Sequence, residues 1–203
     1  YYHFGKDGEN EDQFSDRCAE ELEELIISEG PDTIAAFFAE PVMGAGGVII
    51  PPVRYFDKIQ PILEKYDILF LVDEVICGFG RTGNMWGAET YNLQPDLISC
   101  AKALSSAYLP ISALLINDKI FKAMENQSKK LGIFGHGSTY AGHPVSAAVA
   151  LETLNIYESD DIINQVKMIS KKFIPGLQEF ASSSVVGEVR CVRLIGAIEL
   201  VKN

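Results

Sequence analysis

Two apolar rhythms alternate along this chain. Phe14, Cys18, Leu22, Leu25 and Ile26 recur at three- and four-residue steps, the spacing of one helix face, and Gly30-Pro31 stops the pattern. Ile34 to Ala39 is a short unbroken apolar run that ends at Glu40-Pro41 and predicts a strand buried on both faces. A glycine-rich loop follows, Gly44-Ala45-Gly46-Gly47, then Pro51-Pro52. Tyr55, Ile59, Ile62 and Leu63 predict a second helix, which leads into the strand Ile68-Leu69-Phe70-Leu71-Val72 and its polar stop, Asp73-Glu74. After the loop Gly78-Phe79-Gly80-Arg81-Thr82-Gly83, a further strand runs from Asp96 to Ala101 and stops at Lys102. Ile111 to Ile116 predicts another strand, and Asp118 is placed to cap a helix running to about Lys130. Gly132 to Pro144 reads as a glycine-punctuated loop, and Val145 to Tyr157 as an apolar helix. Asp160 or Asp161 caps another helix to about Phe180; a serine-rich loop and a last strand, Leu194 to Val201, close the pattern.

Strands and helices alternate as far as residue 158, which predicts an α/β fold with a mostly parallel sheet flanked by helices. Residues 1–158 are read as part of a large domain, and residues 159–203 as a linking helix and the start of a small α+β C-terminal domain. The 203 residues are 47% hydrophobic, enough for one core and part of another. The chain starts at Tyr1 and stops just past an apolar run, so it is read as a fragment. A net charge of -11 argues against nucleic acid or an anionic membrane surface as partner, because both need a basic patch. Cys18, Cys77, Cys100 and Cys191 show no metal spacing and read as free thiols in a reducing compartment. No apolar stretch reaches transmembrane length.

The candidate chemistry lies where two apolar runs stop. In a parallel sheet a ligand sits outside the carboxyl ends of the strands, where Asp73 and Lys102 would both fall. A carboxylate and an amine at such a rim are costly without partners. The ordinary reading of each is a solvated turn residue or a surface ion pair. One chemistry that needs both is pyridoxal 5'-phosphate catalysis, in which a lysine forms a Schiff base with the cofactor and an acid keeps the ring nitrogen protonated.

Three ordered blocks sharpen this reading. Asp73-Glu74-Val75-Ile76-Cys77-Gly78-Phe79-Gly80-Arg81-Thr82-Gly83, then Ala101-Lys102-Ala103-Leu104-Ser105-Ser106, then His136-Gly137-Ser138-Thr139-Tyr140-Ala141-Gly142-His143-Pro144 resemble the class III aminotransferases, which are fold-type-I enzymes. Within them, the ω-amino acid:pyruvate and γ-aminobutyrate:pyruvate transaminases are the nearest group. The resemblance implies Lys102 as the catalytic, cofactor-linked lysine and Asp73 as the partner of the pyridinium nitrogen. It implies Val75, two residues past Asp73 on the same strand face, as the apolar residue packed on one ring face, and Ser138 and Thr139 as hydroxyls reaching the cofactor phosphate of a neighbouring subunit. It therefore implies a homodimer or higher oligomer with shared active sites. The substrates implied are a small amine donor, an ω-amino acid or amine, and a 2-oxo acid acceptor such as pyruvate. Glu40 is either structural support near Asp73 or a substrate contact. Arg81 is a candidate for a substrate carboxylate, although loop arginines more often clamp carbonyls and acids. His136 and His143 read as loop-fixing. The expected compartment is the cytoplasm, with a mitochondrial matrix equally compatible.

The chain departs from ornithine-type members of that family at two places. Ala45 replaces a gating glutamate, and Ile76 replaces a glutamine near the ring hydroxyl; both changes count against ornithine or acetylornithine as substrate. Arg190-Cys191-Val192-Arg193 also replaces the usual Arg-Gly-x-Gly, and side chains there are costly if the glycines take positive φ. The rival readings are an aminomutase or a decarboxylating aminotransferase of the same family, or a non-catalytic scaffold.

Overall fold

A computed structural model describes residues 4–201. The first helix, α1 (Glu11–Glu29), starts at a reciprocal cap: Asn10 Oδ1 accepts from Gln13 N at 2.9 Å, and Gln13 Oε1 accepts from Asn10 N at 3.0 Å. Gly30 then stops it in a left-handed conformation, φ 87°. Strand β1 (Ala36–Ala39) leads through the glycine-rich loop to α2 (Tyr55–Lys65), and α2 leads to β2 (Leu69–Asp73). A short helix, α3 (Gly87–Thr90), precedes β3 (Leu97–Cys100) and β4 (Ala113–Ile116). Then come α4 (Asp118–Leu131), α5 (Pro144–Ser159), α6 (Ile162–Gln178) and the hairpin β5 (Val186–Val192) and β6 (Ile195–Leu200).

Strands β1 to β4 form one sheet in sequence order. β1, β2 and β3 are parallel; β4 pairs with β3 antiparallel, with Cys100 opposite Ala113. A mostly parallel sheet is therefore present, but the fourth strand reverses. The connection from Lys102 to Ile111 contains no helix long enough to carry the chain back for a parallel return. The second sheet holds β5 and β6 alone. Apolar periodicity over 186–192 is weak, and Glu188 and Arg190 interrupt it, which is why that stretch does not read as a strand.

The main core lies between the sheet and the α1–α2 pair. Ile26, Ile59, Leu63, Phe56, Phe70 and Val72 are all buried there, each contributing about 2 kcal/mol by leaving water. A second cluster joins Phe79, Cys100, Leu104 and Ala150, and so seats α5 on the turn that follows β3. A third joins Val42, Val48, Cys77 and Ile195, and so seats β6 on the loops that follow β1 and β2. The helix starts also differ in detail from the sequence pattern. Asn117, one residue before Asp118, caps α4 through Ile120 N at 3.0 Å. Asp161 precedes α6 at φ 52° with no side-chain cap bond.

Candidate active site

The parallel register brings three chain ends to one edge. Ala39 lies opposite Val72, and Asp73 lies opposite Ser99. Glu40, Asp73 and Lys102 therefore follow three neighbouring strands at their carboxyl ends. Asp73 Oδ1 accepts from Val75 N at 2.9 Å, an Asx turn that ends β2. Val75 consequently lies in the turn after the strand and not on a continued strand face. The second Asp73 oxygen has no partner among the described residues, and so one lone-pair face stays available. Glu40 turns back on its own loop, where Oε2 accepts from Gly44 N at 2.9 Å.

Lys102 begins a short 3₁₀ turn, Lys102–Ser105, with its own φ at 38°. Ser106 and Ala107 follow at φ 48° and 64°. Three non-glycine residues in left-handed geometry within six positions mark a strained segment. Tyr157 on α5 reaches this turn: its hydroxyl donates to Ala103 O at 2.6 Å and shares a hydrogen bond with Ser106 Oγ at 2.9 Å. Ser105 Oγ donates to Leu109 O at 2.6 Å within the same loop.

A cleft of about 560 Å³ opens around Lys102, lined by Val75, Ile76, Arg81, Ala103, Ser106, Tyr157 and Leu194–Gly196. Asp73 and Glu40 face a different hollow of about 500 Å³, walled by Phe14, Phe37, Phe38, Tyr55 and Phe56. Ser138 lines a third hollow with Pro110, Ser112, His143 and Ser146. Glu40, Asp73 and Lys102 thus share one edge of the sheet but line two different hollows, Lys102 in one and Glu40 with Asp73 in the other. The Ser138-Thr139 loop stands apart, exposed to solvent. Arg81 is exposed and, among the described residues, forms no ion pair; its backbone carbonyl accepts from Leu194 N at 3.2 Å.

Glu74, directly after Asp73, was given no role by sequence reasoning, yet it is fully buried. Its two carboxyl oxygens accept from Gly87 N at 2.9 Å and Ala88 N at 2.6 Å, at the start of α3. Burial pushes its carboxyl above the usual range, against the lowering effect of those two N–H groups. Cys77 bridges to Val42, accepting from its N at 3.4 Å and donating to its O at 3.3 Å. Burial pushes that thiol up to about 12, so it is an inert packing group. Between them, Glu74 and Cys77 fix the loop behind Asp73 from two sides. The only signal in the sequence was the second acid at a strand end, a position where a buried carboxylate needs donors.

One departure from the ornithine-type pattern, Ile76, packs on Gly44, the residue before the other, Ala45. A Cβ on Gly44 would lie 2.5 Å from Ile76 Cδ1, so the Ile76 side chain closes directly on the glycine. Of the two glycines missing near residue 190, one matters. Cys191 sits in regular ladder geometry opposite Gly196, whereas Arg193 does adopt φ 51° and packs against Gly83. Arg190 ties the second sheet to the glycine-rich loop: Nε and Nη2 donate to Gly47 O at 3.1 and 2.8 Å, while Nη1 pairs with Glu188 and with Glu199. Among the described residues no group of acids, histidines and cysteines is placed to hold a metal ion, and no helix is long and apolar enough to cross a membrane.

Known proteins match this arrangement closely. Gamma aminobutyrate transaminase 3, chloroplastic, of Solanum lycopersicum is 58% identical over all 203 residues, which cover 39% of that protein. Vanillin aminotransferase of Capsicum chinense is 55% identical over the whole chain, covering 44% of its own length. The chain therefore spans about two-fifths of the curated relatives it matches. The crystal structure of the omega transaminase from Pseudomonas jessenii in complex with PMP superposes with a TM-score of 0.96 at 52% identity, over 98% of this chain and 44% of that one. A solved transaminase with L-ala reaches the same TM-score at 51% identity, over the whole chain and 48% of that one. The aminotransferase class-III pattern itself matches residues 2–203. With its strand-end acid, acid and lysine in that order, the chain belongs to the class III aminotransferases.

Proposed function

We propose that the protein containing this chain is a pyridoxal 5'-phosphate-dependent transaminase that moves an amino group from an ω-amino acid or related amine to pyruvate or another small 2-oxo acid. The observation that carries this reading is the placement of Asp73 and Lys102 after adjacent parallel strands in a class III chain. The residues suit the cofactor. Asp73 keeps one carboxyl oxygen without a partner, as an acceptor for a protonated ring nitrogen, and Val75 and Ile76 offer an apolar wall beside Lys102. When bound, the cofactor supplies an aldehyde for amine exchange and a ring that withdraws electrons from the substrate carbon.

The remaining chemistry belongs to the chain. Lys102 Nζ would hold the cofactor by its aldehyde carbon and, once released by the incoming amine, carry the proton taken from the donor carbon. Asp73 would keep the ring nitrogen protonated. Ser138 and Thr139, on their exposed loop, would donate to the phosphate held in a neighbouring subunit, which makes the active form at least a homodimer. Arg81, exposed beside Lys102, is the candidate counter-charge for a donor carboxylate. Relatives named for γ-aminobutyrate, and Ala45 and Ile76 in place of the ornithine-type glutamate and glutamine, support a γ-aminobutyrate-like donor. A metabolic compartment, cytoplasm or mitochondrial matrix, fits the same reading.

The test is a product assay. Full-length protein with added cofactor, γ-aminobutyrate and pyruvate should form alanine, and Lys102→Ala should abolish it. Cofactor binding without alanine formation from any ω-amine would move the donor elsewhere in the family. A folded protein that binds no cofactor would leave only the scaffold.

A further inference from the structure

The turn that carries Lys102 is held in part from another element. Lys102, Ser106 and Ala107 all take left-handed φ values that favour glycine, and such backbone persists only where its surroundings fix it. Short backbone bonds within the turn, Leu104 N to Ala101 O at 2.8 Å and Ser106 N to Ala103 O at 3.1 Å, close it locally. Among the described residues, one side chain from another element hydrogen-bonds to it, and that is Tyr157. Its hydroxyl donates to Ala103 O at 2.6 Å and pairs with Ser106 Oγ at 2.9 Å, so one atom grips the turn at two points. Its ring packs against Phe79, 6.1 Å between centroids, and lines the Lys102 cleft. The tyrosine is thus fixed by packing at one side and reaches a strained backbone at the other.

A lysine that must meet first a cofactor carbon and then a substrate proton needs its Cα held to a fraction of an ångström. We propose that Tyr157 is a positioning residue for Lys102, holding the left-handed turn through the Ala103 carbonyl and the Ser106 hydroxyl so that the amine points into the cleft. The inference rests on the transaminase reading of Lys102. It also gives α5 a purpose: this helix begins just after the Ser138-Thr139 loop and, near its far end, anchors the lysine turn.

The test uses full-length protein carrying Tyr157→Phe, which keeps the ring and removes the hydroxyl. The first readout is the rate at which added pyridoxal phosphate becomes trapped on Lys102 by borohydride, measured by peptide mass spectrometry. The expected result is a rate about tenfold lower, because the amine is no longer aimed. The second readout is the pH midpoint of the lysine-linked cofactor's visible band, expected to move by about half a unit or more. With donor amine, kcat should fall about tenfold while KM stays within about twofold. Ser106→Ala, which leaves the Tyr157–Ala103 bond in place, should show the same pattern at about twofold to threefold, and carries the test if the tyrosine variant does not fold. Wild-type trapping rate and midpoint in a folded Tyr157→Phe protein, or in Ser106→Ala if that is the variant that folds, would overturn the proposal. Wild-type protein that traps no cofactor on Lys102 would overturn the transaminase reading itself, and the two failures are distinct.

Discussion

The strand-end region from Glu40 to Ala107 and the segment from Ser112 to Ser146 treat their polar groups in opposite ways. In the first, Val42, Val72, Glu74 and Cys77 are all completely buried, and each polar group among them has a named partner. In the second, α4 has no buried residue, Ser138 and Thr139 are exposed, and Tyr140 is 81% exposed. The chain by itself brings the lysine and the acid to one edge of the sheet. It offers the hydroxyl loop outward, the arrangement needed if that loop serves a neighbouring subunit's site. Helix α5 joins the two, with an exposed start and with Ala150 and Thr153 buried further along.

The sharpest way to break this contrast is at Lys102. Lys102→Ala should lower transaminase turnover by at least about 10⁴-fold with little change in thermal midpoint, because the side chain is exposed. Asp73→Asn should follow, with turnover down by about 10³-fold as the ring nitrogen loses its charged partner. A reaction profile that keeps most of its rate in either variant would separate the strand ends from the chemistry.

Glu74 tests stability in place of chemistry. Glu74→Ala strands two N–H groups at the start of α3 and opens a cavity, and should cost about 3 kcal/mol in urea unfolding. Burial raises this carboxyl above the usual carboxylate range, so the native state holds the proton more tightly than the unfolded chain does. The stability linked to that proton is complete below the unfolded value and is lost as pH rises through the folded one. Glu74→Gln should flatten the fall of stability as pH rises above the usual carboxylate range, and an unchanged slope would count against burial as the cause.

On the exposed side the effects should be smaller and selective. Thr139→Ala should weaken cofactor binding about tenfold, the worth of one hydrogen bond to a charged oxygen, without changing the midpoint of unfolding. Mixing it with Lys102→Ala protein should restore some activity if the loop of one subunit completes the site of another. Arg81→Ala should raise KM about tenfold for γ-aminobutyrate and leave an amine without a carboxylate unaffected. A fall in thermal midpoint with both donors equally affected would assign Arg81 to loop clamping.

The strand ends were legible because β2 is an unbroken apolar run buried along Phe70 to Val72 that stops at Asp73, and the run of β3 stops at Lys102. β1, expected to be buried on both faces, instead leaves Phe38 67% exposed at the sheet edge. The family resemblance then gave each residue an expected role. The reversal of β4 was not legible, because an apolar run such as Ile111 to Ile116 carries no direction. β5 was missed because its sheet is two-stranded and its apolar pattern is broken by Glu188 and by Arg190, which pairs with Glu188 and Glu199 and donates to Gly47 O. Val75 was expected on the strand face, but the Asx turn at Asp73 depends on one side-chain rotamer that sequence spacing does not carry. Tyr157 and Ser106, 51 positions apart, meet only through the packing of α5, a contact no local pattern records.

The most direct measurement is borohydride trapping of pyridoxal phosphate on the full-length protein, followed by peptide mapping with and without prior γ-aminobutyrate. The label should fall on the peptide containing Lys102 and should largely vanish after exposure to γ-aminobutyrate with no oxo acid present. Label on a different lysine, or none on a folded protein, would contradict the placement of the chemistry at the end of β3.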